Sequence, residues 1–216
     1  MAETNPNSRL EMFCDGVFAI ALTLLVLDIR VPSSDSINSS QDLWRALGHL
    51  APSLFAFVLS FTIILITWVN HHVTFQLVSR SSAAFVYANG FLLLTVVLFP
   101  FPTALLGTYL FTDHSAPAVV IYDAMAAVQA AGWVLVTTAA LSTRLTRNGH
   151  ATAVMRENRR FGYFAFALYS LLALIALWLP STVAVVTTVL WAFWLAFGFR
   201  RFGFPEGSTE RSPSGA

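Results

Sequence analysis

The chain has 216 residues, of which 56% are hydrophobic and only 11% charged, against about 25% charged residues in an ordinary soluble domain. This composition points to an integral membrane protein. The formal net charge is +1 and every one of the 12 basic residues is Arg, so there is no broad basic field of the kind that binds nucleic acid.

Six apolar runs are predicted to cross the bilayer, since a hydrocarbon core about 30 Å thick needs roughly 20 apolar residues in helical form. They lie near residues 11–29, 48–69, 84–105, 117–141, 161–179 and 182–199. The first carries acids at Glu11 and Asp15 and is not followed by a small-residue cleavage site, so it is expected to be an uncleaved span rather than a signal peptide. "RVPSSDSINSSQD", "HHVTFQLVSRSS", "GTYLFTDHSAP" and "STRLTRNGHATAVMRENRR" are the expected separators. Between the last two runs Pro180 is expected to stop one helix and Ser181 and Thr182 to start the next. The tail over 204–216, rich in Gly, Ser and Pro, is expected to be disordered. The fold class is therefore an all-α polytopic membrane protein of six transmembrane helices, with residues 1–203 as one domain.

Placing the N-terminus in the cytoplasm puts ten Arg residues in inside segments and leaves only Arg30 and Arg45 outside, so both termini are expected to be cytoplasmic. No phosphate loop, G-x-S-x-G, H-E-x-x-H or paired Cys occurs, and no enzyme site or cofactor is expected. The lone Cys14 reads as a small core residue. Adjacent His71 and His72 diverge by about 100° on a helix and make a poor chelate, so no metal site is expected.

Read at about 100° per residue, Ile20, Leu24 and Leu27 form one narrow stripe on the first helix. Thr23 borders the stripe and Asp28 stands near the outer end, where an acid concentrates cations. Asp15 lies on the side away from Leu24. A carboxylate within a span costs about 2.5–3.5 kcal/mol at the centre and less toward the ends, so Asp15 is expected to face protein. Arg9, His71 and Asn89 belong at similar depth, and together they predict a polar cluster pinning the first helix to the second and third. Asp123, beside Tyr122, reads as an interfacial or helix-terminal acid. On residues alone the stripe reads as lipid contact or ordinary packing, and Asp15, Asp123, His71 and His72 suggest a proton-coupled or proton-conducting transporter as the alternative function.

"RLEMFCDGVFAIALTLLVLDI", residues 9–29, resembles the first-helix signature R-x-x-x-F-S-D of the endosomal and lysosomal potassium channel family, in its shorter bacterial form. "WVNHH" from Trp68, Asn89 and "LFPF" from Leu98 extend the resemblance. It implies a multi-pass protein of the bacterial inner membrane, a homotetramer contacting K⁺ and membrane lipid, with four first helices around a pore. Ile20, Leu24 and Leu27 then fall on the pore face, Ile20 as the hydrophobic constriction and Thr23 as a contributor to selectivity. Arg9, Phe13, Cys14 and Asp15 fall on the structural motif that packs against Trp68, His71 and Asn89. Cys14 stands where the family usually has Ser, which exchanges a hydroxyl for a weaker donor. There is no T-V-G-Y-G filter, so the expected barrier is an aliphatic ring that K⁺, the less tightly hydrated ion, crosses more readily than Na⁺.

Overall fold

A computed structural model describes residues 7–201; the expected tail over 204–216 lies outside them. Among the described residues the chain is helical, with one isolated antiparallel bridge between Val78 and Thr146. Helix α1 spans Ser8–Leu24 and continues as a 3-10 turn, Leu25–Asp28. A second 3-10 turn, Ser34–Ser36, leads to α2, Ser40–Gly48, and then α3, Ala51–Leu77. The remaining helices are α4 (Ala83–Leu98), α5 (Pro100–Tyr109), α6 (Ser115–Ser142), α7 (Gly149–Ile175) and α8 (Pro180–Arg201).

Among the described residues four stretches are long and apolar enough to cross a membrane: Ser8–Asp28, Ala51–Leu77, Ala83–Tyr109 and Ser115–Ser142. Helix α7 carries Arg156, Glu157, Arg159 and Arg160 in its first half, and the apolar part of α8, Pro180–Ala196, is shorter. Several expected boundaries move. Helix α3 runs on through the "HHVTFQL" separator to Leu77, because its polar residues find partners: His72 on α1 at Glu11, His71 on α4 at Asn89, and Gln76 on His72 one turn back. Helix α7 starts at Gly149, well before the expected 161, because Asn148 caps it: the Asn148 Oδ1 accepts from the Ala151 N–H at 2.8 Å. Pro180 begins α8 instead of ending the preceding helix, which suits a residue with no N–H to donate in a first turn.

The third apolar run is interrupted at Phe99. Pro100 has no N–H for the Val96 carbonyl, and that carbonyl accepts from the Phe99 N–H at 3.2 Å instead. Helix α2, absent from the sequence expectation, is capped by Ser39, whose Oγ accepts from the Asp42 N–H at 3.2 Å.

Helix α6 lies centrally, against α4, α5, α7 and α8, while α1 leans on α3 and α4. Close approaches occur at glycines: a Cβ on Gly107 would stand 2.9 Å from the Ser53 Cα, and one on Gly132 3.3 Å from the Leu92 Cα. At one end of the bundle the α3–α4 and α6–α7 loops are tied together. The Ser79 N–H donates to the Leu145 carbonyl at 2.8 Å and the Arg147 N–H to the Leu77 carbonyl at 3.0 Å. Asn7 Nδ2 donates to the Val78 carbonyl at 3.4 Å, so the start of α1 meets the same end as Arg80, Arg144 and Arg147.

Candidate ion pathway along the first helix

Helix α1 has two sharply different faces. Cys14, Phe18, Ala21 and Leu25 are buried, at 0–1% exposure, and fall within about 60° of one another around the helix. Opposite them Phe13 is 63% exposed, Ile20 59%, Leu24 39% and Leu27 70%. Gly16 and Thr23 share that outer face and are also exposed. The change to 3-10 winding at Leu25 does not break the stripe, because residues three apart eclipse at three residues per turn, so Leu27 stays in line with Leu24. The Thr23 Oγ1 donates to the Ile20 carbonyl at 2.8 Å, which occupies its proton and leaves its lone pairs free on the exposed face.

Asp28 closes the 3-10 turn. It is partly buried, off the exposed stripe, and its Oδ2 has no hydrogen-bond partner among the described residues.

The expected polar cluster resolves into two sets. One is a ladder between antiparallel α1 and α3. Trp68 Nε1 donates to Asp15 Oδ1 at 2.9 Å, and one turn nearer the helix start His72 Nδ1 lies 3.0 Å from Glu11 Oε1. Gln76 Nε2 lies 3.0 Å from His72 Nε2. The other set is buried: His71 Nε2 is 3.0 Å from Asn89 Oδ1, while Asn89 Nδ2 donates to the Phe85 carbonyl at 2.7 Å. Since Asn89 spends its amide on that carbonyl, its oxygen is the acceptor and His71 Nε2 carries the proton. The His71 ring sits between Phe18 at 5.2 Å and Phe75 at 4.7 Å.

Cys14 and Asp15 therefore turn toward the subunit, and Phe13 and Arg9, expected to pack there too, do not. Both are exposed, and at about 100° per residue they lie on the line of Ile20 and Leu27. The seam Arg9, Phe13, Gly16, Ile20, Thr23, Leu27 alternates steps of four and three, the spacing by which helices pack on other helices.

Asp123 differs most from expectation. It is fully buried and accepts from Thr187 Oγ1 of α8 at 2.8 Å. It is not an interfacial acid, because α8 covers it. Next to it Tyr122 OH lies 3.0 Å from Ser60 Oγ, and Thr103 Oγ1 lies 2.7 Å from the same Ser60 oxygen. Ser60 precedes His71 by 11 residues of α3, about 16 Å of helix, so Asp123 is remote from the two polar sets beneath α1. Glu11, Gln76 and the hydroxyl chain were not anticipated. The ladder does have a sequence signal: Glu11 and Asp15 are four apart, and so are Trp68 and His72, which gives two matched rungs on antiparallel helices.

Residues 9–100 match the family described as endosomal/lysosomal potassium channel TMEM175. The chain is 39% identical over 194 residues to a potassium channel of Chamaesiphon minutus, covering 88% of this chain and 95% of that one. A potassium channel of Streptomyces collinus is 45% identical over 152 residues, covering 68% of each. The crystal structure of a lysosomal potassium-selective channel TMEM175 homolog from Chamaesiphon minutus has a TM-score of 0.76 at 35% identity, covering 90% of this chain and 99% of that one. The agreement in sequence and in fold spans nearly the whole chain, includes the helix that bears the exposed stripe, and groups this multi-pass membrane protein with ion channels and not with enzymes: it belongs to the endosomal/lysosomal potassium channel TMEM175 family.

Proposed function

We propose that four copies of the chain assemble around α1 to form a cation channel with a modest preference for K⁺ over Na⁺. The observation that carries this reading is the exposed stripe of α1. The helix is as apolar as any in the chain, yet only 22% of its most apolar stretch is buried, against 50% for α6. Its face combines aliphatic groups with a glycine and a threonine, which suits a helix that meets copies of itself better than one that meets only lipid. One such helix cannot enclose a pore, and four can.

Within that assembly Ile20 forms the narrowest hydrophobic ring, with Leu24 and Leu27 continuing it outward. An ion crossing such a ring sheds water without receiving substitute ligands, so the more weakly hydrated K⁺ faces the smaller barrier. The free lone pairs of Thr23 supply oxygen just beyond Ile20. Asp28 adds negative charge near the outer mouth. Small rotations of α1 that widen or close the Ile20 ring would gate it. Phe13 and Arg9 continue the seam toward the cytoplasm and would contact neighbouring subunits, while Cys14, Asp15, Trp68, His71 and Asn89 hold α1 to its own subunit.

The topology that goes with this reading has six spans, with α4 and α5 as one and with the apolar half of α7 and α8 as the last two. Both termini are cytoplasmic. The supports are the ten-to-two Arg division and the meeting of Asn7 with the two Arg-bearing loops at one end of the bundle.

The protein reconstituted in liposomes provides the test. Under a K⁺ gradient, wild type should pass K⁺ faster than Na⁺, and Ile20→Asn should raise the flux or reduce the discrimination. Coupled movement of protons with a solute, and no passive K⁺ flux, would instead favour a carrier.

A further inference from the structure

A second site lies away from α1, where α6, α8, α3 and α5 converge. Asp123 lines a small cavity with Phe55, Leu59, Leu106, Tyr122 and Thr187. The cavity measures about 10 Å³, which is enough for a single water molecule. Asp123 is 0% exposed. Its Oδ1 accepts one hydrogen bond, from Thr187 at 2.8 Å. Its Oδ2 is buried and has no hydrogen-bond partner among the described residues.

The surroundings do not offset a charge. The walls from α3 and α5 are Phe55, Leu59 and Leu106, and α8 brings Ala184 and Thr187. The titratable neighbours that interact with Asp123 are Tyr122 on α6 itself and Tyr169 on α7, and the Tyr122 hydroxyl already lies 3.0 Å from Ser60. Among the described residues no Arg or His lines the cavity. An ionised carboxylate buried among such groups is costly. An alkali cation would offset it, but the lining offers little more than two carboxylate oxygens and one hydroxyl, too few to replace a hydration shell. A proton needs only one oxygen, and Oδ2 is the one left over.

We propose that Asp123 is an exchangeable proton-binding site separate from the pore, reached through this cavity by way of one water. Phe55, which lines the cavity, is 36% exposed. With the proton on Oδ2, the carboxyl keeps the Thr187 bond on Oδ1 and the α6–α8 contact is neutral. Loss of the proton leaves a bare charge between those two helices.

Infrared difference spectra of the full chain in liposomes, recorded through a pH titration in H₂O and in D₂O, test the site without reference to ion flux. A failure of the channel reading would therefore leave this result standing, and the reverse. The expected result is a carbonyl stretch of a protonated carboxylic acid that is lost as pH rises, shifts in D₂O, and is absent from Asp123→Asn. Asn preserves the shape of the protonated acid and an acceptor for Thr187. In Thr187→Val the band should move, because Oδ1 loses its donor, and this second variant keeps the test decisive if the first fails to fold. A band retained in Asp123→Asn, or one indifferent to both pH and D₂O, would overturn the proposal.

Discussion

Trp68 and Asp15 show how a carboxylate inside an apolar helix is accommodated by a partner that is itself amphipathic. The indole gives its N–H to Asp15 Oδ1 at 2.9 Å while Trp68 remains 37% exposed. Because the pair is partly exposed, Trp68→Phe should cost only about 1 kcal/mol. The His71 and Asn89 pair is fully buried, so Asn89→Leu leaves the His71 N–H without an acceptor and should cost more, about 1–3 kcal/mol. Unfolding of the two variants in detergent tests the ranking, and an equal or reversed loss would show that burial does not govern these bonds. Sequence alone indicated that Asp15 must face protein, because a carboxylate in a span needs partners. It did not separate Asp15 from His71, because a step of three residues along α3 between Trp68 and His71 decides which helix each side chain meets.

At the scale of elements, close helix contacts depend on particular glycines. A Cβ on Gly107 would come within 2.9 Å of the Ser53 backbone, whereas one on Gly90 would have nothing within 4 Å. Gly107→Ala should therefore destabilise the fold by about 1–3 kcal/mol through forced separation of α3 and α5. Gly90→Ala should be neutral or gain up to about 1 kcal/mol from helix propensity. Thermal unfolding of the two proteins side by side distinguishes these outcomes; equal destabilisation would mean that Gly90 also lies in a tight contact, such as one between subunits. Removing the α7 cap with Asn148→Ala should cost about 1 kcal/mol by the same assay. The apolar runs were legible in the sequence because span length is fixed by the bilayer. Their ends were not, because "HHVTFQL" and "RENRR" read as loops by polarity alone, whereas α3 and α7 run through them as helix. Nor was α2 foreseen, since a helix of nine residues is decided by its Ser39 cap more than by any long apolar pattern.

At the scale of the whole molecule, the exposed stripe of α1 is where the proposed assembly would form. The proposed tetramer predicts a mass of four chains by native mass spectrometry in mild detergent, and a monomer or dimer would remove the pore. The stripe itself was legible from periodicity; that Phe13 and Arg9 extend it was not, because the resemblance drew them into the motif that faces the subunit. In the proposed channel this face of α1 lines the ion path. Substituted-cysteine accessibility tests it most directly, in a Cys14→Ser background that removes the one native thiol, with K⁺ flux from liposomes read before and after a water-soluble thiol reagent. A pore-lining face requires block at Ile20→Cys, Leu24→Cys and Leu27→Cys and none at Phe18→Cys, Ala21→Cys or Leu25→Cys. Block at the second set, or block without helical periodicity, would contradict it.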